Sequence, residues 1–366
     1  MNKTRVVPPP LDHVIALSDD TGIIQHAVCD VPNRSTGYCT DDVSRAFMVV
    51  LAKLQLDPRD AAAARLATIY LSFLHDAQME CGRFHNFMSY ERQWLDDCGT
   101  QDSIGRAIWS LGYGIRCAPR DSWKQVCALL LERGLPHAGA LEHIRSQAYA
   151  AIGLAHAITA RATLNDVTLR SEREARASKG QGATLRMLAE KIKAAYFAHR
   201  DGEWQWFENA MTYDNARLCE AMLRAGLALR DDELIAIGLR TLSFYTGVVM
   251  EDGIFVPIGN DGWYERGGTR ARYGQQPLEA AAMIDAALVA YDCTADPSFV
   301  ATAHTVLGWY HGRNLRGAVM VERGGCHDGL EEGEINQNMG AESTLAYLAS
   351  AYALAERPAK SLTLAR

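Results

Sequence analysis

Apolar positions along this chain recur mainly at helical spacing, and they do so in pairs of segments. Val43, Ala46, Phe47, Val50 and Leu54 fall on one face of a helix predicted over residues 43–54. A second periodic run follows over 61–75. The same two-step unit recurs as 104–117 with 122–133, 148–159 with 185–199, a helix from about 216 with 232–245, and a helix from about 277 with 298–311. A final helix over 341–355 has no clear partner before Arg366. First members are alanine-rich and apolar nearly all round, as in 148–157, which predicts burial. Second members carry charges such as Arg59, Asp60, Lys124, Glu190 and Lys191, as exposed helices do.

Each first member opens on a polar motif: Thr40-Asp41-Asp42, Gln101-Asp102-Ser103, Arg145-Ser146-Gln147, Tyr213-Asp214-Asn215, Gln275-Gln276-Pro277 and Ala341-Glu342-Ser343. Their spacing is similar throughout, with one shorter interval between the second and third. Repeated helix pairs that cannot bury their faces alone curl into a solenoid or a toroid. Six buried helices ringed by exposed ones predict an all-α (α/α)6 barrel, with a short α-solenoid as the alternative. Residues 1–40 break the pattern. Two apolar runs, 13–17 and 22–28, flank an Asp19-Asp20-Thr21-Gly22 turn and predict a small N-terminal β-hairpin. The expected organisation is this extension over 1–40 followed by one catalytic domain over 41–366.

Composition narrows the function. The chain of 366 residues is 48% hydrophobic, enough for a large core, and its 37 basic and 44 acidic residues leave a net charge of -7. Neither sign forms long runs, which argues against nucleic acid and against anionic membrane surfaces as partners. No stretch approaches the ~18 apolar residues of a spanning helix. The first ten residues hold three prolines and no apolar signal core, and the nine cysteines include no Cys-x-x-Cys pair. A soluble cytoplasmic protein with reduced thiols is expected. No dinucleotide-binding glycine motif is present, so no cofactor is implied.

In a ring of this kind all inner helices run the same way, and their polar motifs converge on one mouth. The stretch 203–216 is the richest of these openings, with Trp206, Glu208, Tyr213 and Asp214 before an apolar helix. Aromatic faces suit the C–H faces of sugar rings, and neighbouring carboxylates suit hydroxyl binding or acid-base chemistry at a glycosidic bond. Asp102, Asp214 and Asp42 are the candidate catalytic residues, although each also fits a helix cap. Trp206, Trp263 and Tyr264 are candidate sugar platforms. Arg83, Asn86, Arg266 and Gln276 are candidate hydroxyl or acid binders. Asp41, Glu208, Tyr213, Glu279, His327, Asp328 and Glu342 complete the expected lining. Glu279 lies a full turn inside its helix, too deep for a cap.

A resemblance rests on residues 38–46 (Tyr-Cys-Thr-Asp-Asp-Val-Ser-Arg-Ala), 83–90 (Arg-Phe-His-Asn-Phe-Met-Ser-Tyr), 101–107 (Gln-Asp-Ser-Ile-Gly-Arg-Ala), 206–216, 257–260 (Pro-Ile-Gly-Asn), 275–279 (Gln-Gln-Pro-Leu-Glu) and 342–346 (Glu-Ser-Thr-Leu-Ala). The chain resembles a bacterial helical domain associated with glycosyltransferases and mannoside phosphorylases. In outline it is similar to the six-hairpin glycosidase superfamily, which also holds the N-acylglucosamine and cellobiose epimerases. The resemblance implies a sugar or oligosaccharide substrate, with glycosyltransferase or phosphorylase neighbours in the same pathway. Taken with the carboxylates, it points to a glycoside hydrolase acting on a mannose- or glucose-containing oligosaccharide.

Two other readings stay open. A sugar 2-epimerase on this scaffold uses paired histidines; His85 and His327 lie in loops able to reach the mouth, whereas His156 and His304 belong to helices. A non-catalytic glycan-binding accessory protein would use the same aromatic cleft without needing so many carboxylates. Cys326-His327 is similar to a zinc-binding pair of lanthionine cyclases, but Cys293 falls near a helix end rather than on an adjacent loop. A free thiol beside a substrate-facing histidine is the preferred reading, and no metal is expected.

Overall fold

The structure, a computed structural model, describes residues 6–164 and 172–356. Among the described residues twelve α-helices form in the order α1 (Asp12–Leu17), α2 (Thr40–Leu56), α3 (Ala61–Ala77), α4 (Gln101–Cys117), α5 (Asp121–Gly139), α6 (Ile144–Leu164), α7 (Glu172–His199), α8 (Ala216–Leu229), α9 (Asp232–Val249), α10 (Pro277–Thr294), α11 (Pro297–Leu307) and α12 (Ala341–Glu356). Local chemistry starts several of them. Asp60 accepts from the Ala63 amide at 2.9 Å to cap α3, and Thr100 accepts from the Ser103 amide at 3.2 Å to cap α4. Asp231 and Asp296 cap α9 and α11 in the same way.

The even-numbered helices form a closed ring. Neighbours pack in the order α2, α4, α6, α8, α10, α12, and α12 returns against α2. That closure selects the (α/α)6 barrel over the open solenoid. Helices α3, α5, α7, α9 and α11 each pack outside the inner helix that precedes them. Close approach between α4 and α6 requires glycine: a Cβ on Gly112 would strike the Gly153 carbonyl, and one on Gly153 would strike the backbone of Ile108 and Trp109.

The N-terminal segment departs from expectation in its first arm. Residues 13–17 are helical, within α1, because Val14 and Leu17 turn into the core against α12. The Asp19 turn does form, with Asp19 Oδ1 accepting from the Thr21 and Gly22 amides at 2.8 and 3.2 Å. A small hairpin follows it, pairing Ala27–Val28 with Val31–Pro32. The sixth inner helix thus receives its cover from the beginning of the chain.

Connections at the two ends of the barrel are unequal. At the C-terminal ends of α2, α4, α8 and α10 the links are two to four residues long, whereas 78–100, 200–215, 250–276 and 308–340 gather over the N-terminal face. Paired two-residue strands stiffen these long loops: Tyr38–Cys39 with Phe87–Met88, Ala210–Met211 with Tyr264–Glu265, and Gly329–Leu330 with Ile335–Asn336.

Candidate active site

The first turns of the inner helices bring carboxylates from distant parts of the chain into one electrostatic cluster. Asp41 opens α2, Asp102 opens α4 and Glu342 opens α12. Burial raises the Asp41 carboxyl above its ordinary pKa; Arg106 and Arg45 oppose this, and Asp102 and Glu342 add to it. The Asp41 Oδ1 atom is buried without a hydrogen bond. Asp102 is half-buried and held by two hydroxyls, Ser146 Oγ and, at 2.7 Å, Tyr213 Oη. Arg45 reaches Glu342 at 2.5 Å and Asp42 at 2.8 Å. Glu342 keeps 37% of its side chain exposed, so this pair faces the opening.

A layer of buried charge lies one turn deeper. Asp214 adopts a left-handed backbone at φ 50° and is only 2% exposed. Its Oδ2 accepts from Tyr149 Oη at 2.7 Å and Arg106 at 3.3 Å, and its Oδ1 lies 3.5 Å from Arg217 Nε. Arg217 also contacts Glu220 at 2.5 Å and Asp285 at 2.6 Å. The guanidinium of Arg106 sits 4.0 Å from the Tyr149 ring centre, and that of Arg217 4.6 Å from Trp109. Buried charge is tolerated here because each ion has an opposite partner.

Glu279 serves this layer from α10. Its carboxylate accepts from the Asp214 amide, from the Asn215 amide at 3.3 Å and from Tyr245 Oη at 3.0 Å. It therefore closes the start of α8, across helices rather than within its own. Burial, helped by Asp214, pushes its pKa up to about 7.

Other expected site residues divide by placement. Asp42 is buried beneath the mouth, accepts from Cys39 Sγ at 3.1 Å and orients Arg45; burial pushes its pKa to about 6. Glu208 holds Arg145 at 2.8 Å, and Arg145 Nε donates to the Tyr213 carbonyl at 2.5 Å. Trp206 offers no free face: it is fully buried and stacked on Tyr245 with centroids 5.5 Å apart. Its indole packs in the core against Tyr245 of α9, so the platform expectation does not suit it. Tyr264 packs edge-on against Trp204, and half-buried Trp263 occupies a left-handed turn at φ 57°. Arg266 points away to Asp201 and the His199 carbonyl, and Arg83 lies exposed beside Cys81 and Cys98. Asn86 is buried in the loop that seats Thr40, donating its amide to Asp96 at 2.7 Å. Gln276 stands half-buried before α10 without capping it. Asp328 accepts from Ser343 Oγ and, at 2.9 Å, from Asn338, while His327 beside it keeps a buried Nδ1 without a partner.

The histidines sit in different settings. His85 bonds Asp96 at 3.0 Å and stacks on Trp94, His156 lies inside the barrel against Arg116, and His304 lies on α11. Cys326 is buried with its thiol on the His327 carbonyl at 3.4 Å. Among the described residues no group of three His, Cys, Asp or Glu side chains is placed to hold a metal.

The space itself has a second component. A cavity of about 1330 Å³ runs along the barrel axis, from Arg45, Arg106, Asp214 and Arg217 to Gln55, Arg116 and Glu356 at the C-terminal ends of the inner helices. It lies below the charged layer, opposite the expected mouth.

Structural comparison adds the setting. The chain is similar to cellobiose 2-epimerase from Bacillus thermoamylovorans B4167, at 10% identity with 93% of this chain and 95% of that chain covered, TM-score 0.68. A D-mannose isomerase matches at 11% identity over 94% of each chain, TM-score 0.67. The GH76 α-mannanase of Bacteroides thetaiotaomicron matches at 11% identity over 94% of this chain and 93% of that one, TM-score 0.61. The fold is theirs: a six-hairpin (α/α)6 barrel. By sequence, no family model matches the chain and no curated protein matches it.

Arg45, Arg106, Arg217 and Tyr149 are candidate site residues that sequence reasoning passed over. A signal for them exists: Asp41 with Arg45, Asp102 with Arg106, and Arg217 with Glu220 and Arg224 are charges at helical spacing inside segments otherwise apolar all round. Charges so placed can only face a polar axis. No helix among the described residues is long and apolar enough to cross a membrane.

Proposed function

We propose that the protein is a glycoside hydrolase acting on a mannose- or glucose-containing oligosaccharide at the N-terminal mouth of the barrel. One observation carries the reading: Asp41, Asp102 and Glu342, from three different inner helices, cluster around Arg45 and Arg106. Glycoside hydrolysis needs one carboxylic acid to protonate the leaving oxygen and one carboxylate to act on water or on the anomeric carbon. Asp41 suits the acid, because burial favours its neutral form and its Oδ1 has no competing partner. Asp102 suits the second role, because Ser146 and Tyr213 fix its orientation while it stays open to the mouth. Asp214 and Asp42, the other carboxylates singled out from sequence, hold the arginines beneath. The solved structures named as a mannanase and as sugar-converting enzymes support a sugar substrate.

The test is release of reducing sugar from manno- and gluco-oligosaccharides by the full chain. Asp41→Asn and Asp102→Asn should each lower turnover by about 100-fold or more with the fold intact by circular dichroism. Full activity in both variants would overturn the assignment. Bound oligosaccharide without any product would instead indicate an accessory binding protein.

A sugar 2-epimerase is the second reading, favoured by the likeness to the cellobiose 2-epimerase and by the unpartnered His327 Nδ1 near the mouth. Its proton donor and acceptor would be His327 and His85, whose Nδ1 lies 3.0 Å from Asp96, a contact that orients the imidazole and leaves Nε2 to exchange a proton. Deuterium incorporation at C2 of a free sugar in heavy water distinguishes it.

A further inference from the structure

The axial cavity is left unused by the mouth chemistry, and its two walls differ in character. Helices α2, α10 and α12 line it mainly with apolar side chains, among them Met48, Ala52, Leu288, Ala349 and Ala353, with Asp285 and Asp292 also on α10. Alanine at 52, 349 and 353 leaves the space that larger side chains would fill. Facing them, α4, α6 and α8 contribute Tyr113, Arg116, His156 and Arg224. The α2 positions 45 to 55 span about 15 Å at 1.5 Å per residue, so the chamber is deep rather than shallow.

The polar wall carries a cation that is not neutralised by direct contact. Arg116 Nη1 lies 3.1 Å from His156 Nδ1, and no carboxylate lies within ion-pair distance of Arg116 among the described residues. A guanidinium can only donate, so Nδ1 is the acceptor and His156 is neutral with its proton on Nε2. Burial, followed by Arg224 and Arg116, holds the imidazole well below its ordinary pKa, consistent with a positive local field. Arg224 is tied through Nε to Glu220 at 2.6 Å. Arg116 and the remaining carboxylates of this end, Asp292 and Glu356, all stand exposed at the rim.

We infer that the axial cavity is a second ligand site, for an amphipathic anion whose apolar chain lies on the α10–α12 alanine wall and whose carboxylate or phosphate pairs with Arg116. Among the described residues the site opens at the C-terminal face, and the Arg45, Arg106, Asp214 and Arg217 layer lines its end toward the mouth. Its occupancy does not depend on which reaction the mouth performs.

Isothermal titration of the full chain with decanoate, decyl phosphate and neutral decanol, below micelle-forming concentrations, tests this. At least one anion should bind about tenfold or more tightly than decanol, and the preferred anion identifies the headgroup. Arg116→Met should lower anion affinity by about tenfold while leaving decanol unchanged. Ala349→Phe should abolish binding of all three by filling the chain wall, in protein shown to be folded by circular dichroism. Equal binding of decanol and the anions, indifference to Arg116→Met, or no binding heat with any probe would overturn the inference.

Discussion

Glu279 sits in the first turn of α10 with its carboxylate oxygens engaged by the start of α8 and by Tyr245. Its burial raises the folded-state pKa to about 7, from an ordinary value of 4.5. The native state therefore binds a proton that the unfolded chain releases between these values. Stability from this group is fully present below about pH 4.5 and is lost as pH rises through about 7. Over that window the loss is on the order of 3 kcal/mol. Glu279→Gln keeps an acceptor at the site and removes the titration. The difference in unfolding free energy between the native chain and the variant should therefore move against the native chain from pH 4.5 to 7.5, measured by urea denaturation at each pH. A pH-independent difference would mean that Glu279 does not titrate in this range. The same residue shows what a sequence can and cannot disclose. Its position, too deep for a cap, marks it as unusual, but its partners lie on another helix.

The inner helices α4 and α6 meet through glycines, where Gly105 faces Ser146 and Gly112 faces Gly153. Both glycines of the second pair are helical, so each costs backbone entropy that only close packing offsets. Gly153→Ala should destabilise the chain by about 1–3 kcal/mol, seen as a lower urea midpoint at unchanged slope, because its methyl would press on the backbone of α4. An exposed helical glycine such as Gly247, with nothing near it, should gain slightly from the same change. At this scale most of the architecture is legible from sequence, because the 3.6-residue period survives whatever a helix packs against. Residues 13–17 were open to misreading for the opposite reason: a short apolar run has too few positions to separate strand from helix. Trp206 shows a further limit, since an indole that fills a core and one that carries a sugar are the same residue in sequence. Arg45, Arg106 and Arg217 were hidden by context, because each becomes meaningful only once its helix is known to face the axis.

Closure of the whole ring depends on the two ends of the described chain meeting. Among the described residues no outer helix follows α12, and α1 lies against it instead. Val14 and Leu17 are fully buried there, Tyr352 Oη donates to the Pro9 carbonyl at 2.8 Å, and His13 Nε2 lies 2.8 Å from the Met339 carbonyl. The burial of Val14 and Leu17 contributes about 1.5–3 kcal/mol each. Helix α12 also presents Glu342 to Arg45, so its seating couples the start of the chain to the mouth. A chain lacking residues 1–19 should lose several kcal/mol of stability, on the order of 5, from these contacts together. The loss should be local before it is global. Amide exchange should quicken first in α12 and then in α2, which it touches, while α6 and α8 across the ring stay protected. Hydrogen exchange read by mass spectrometry at peptide resolution separates these outcomes. Uniform acceleration around the ring would mean that the barrel opens only as one unit. An unchanged α12 would mean that α1 covers the ring without helping to hold it closed.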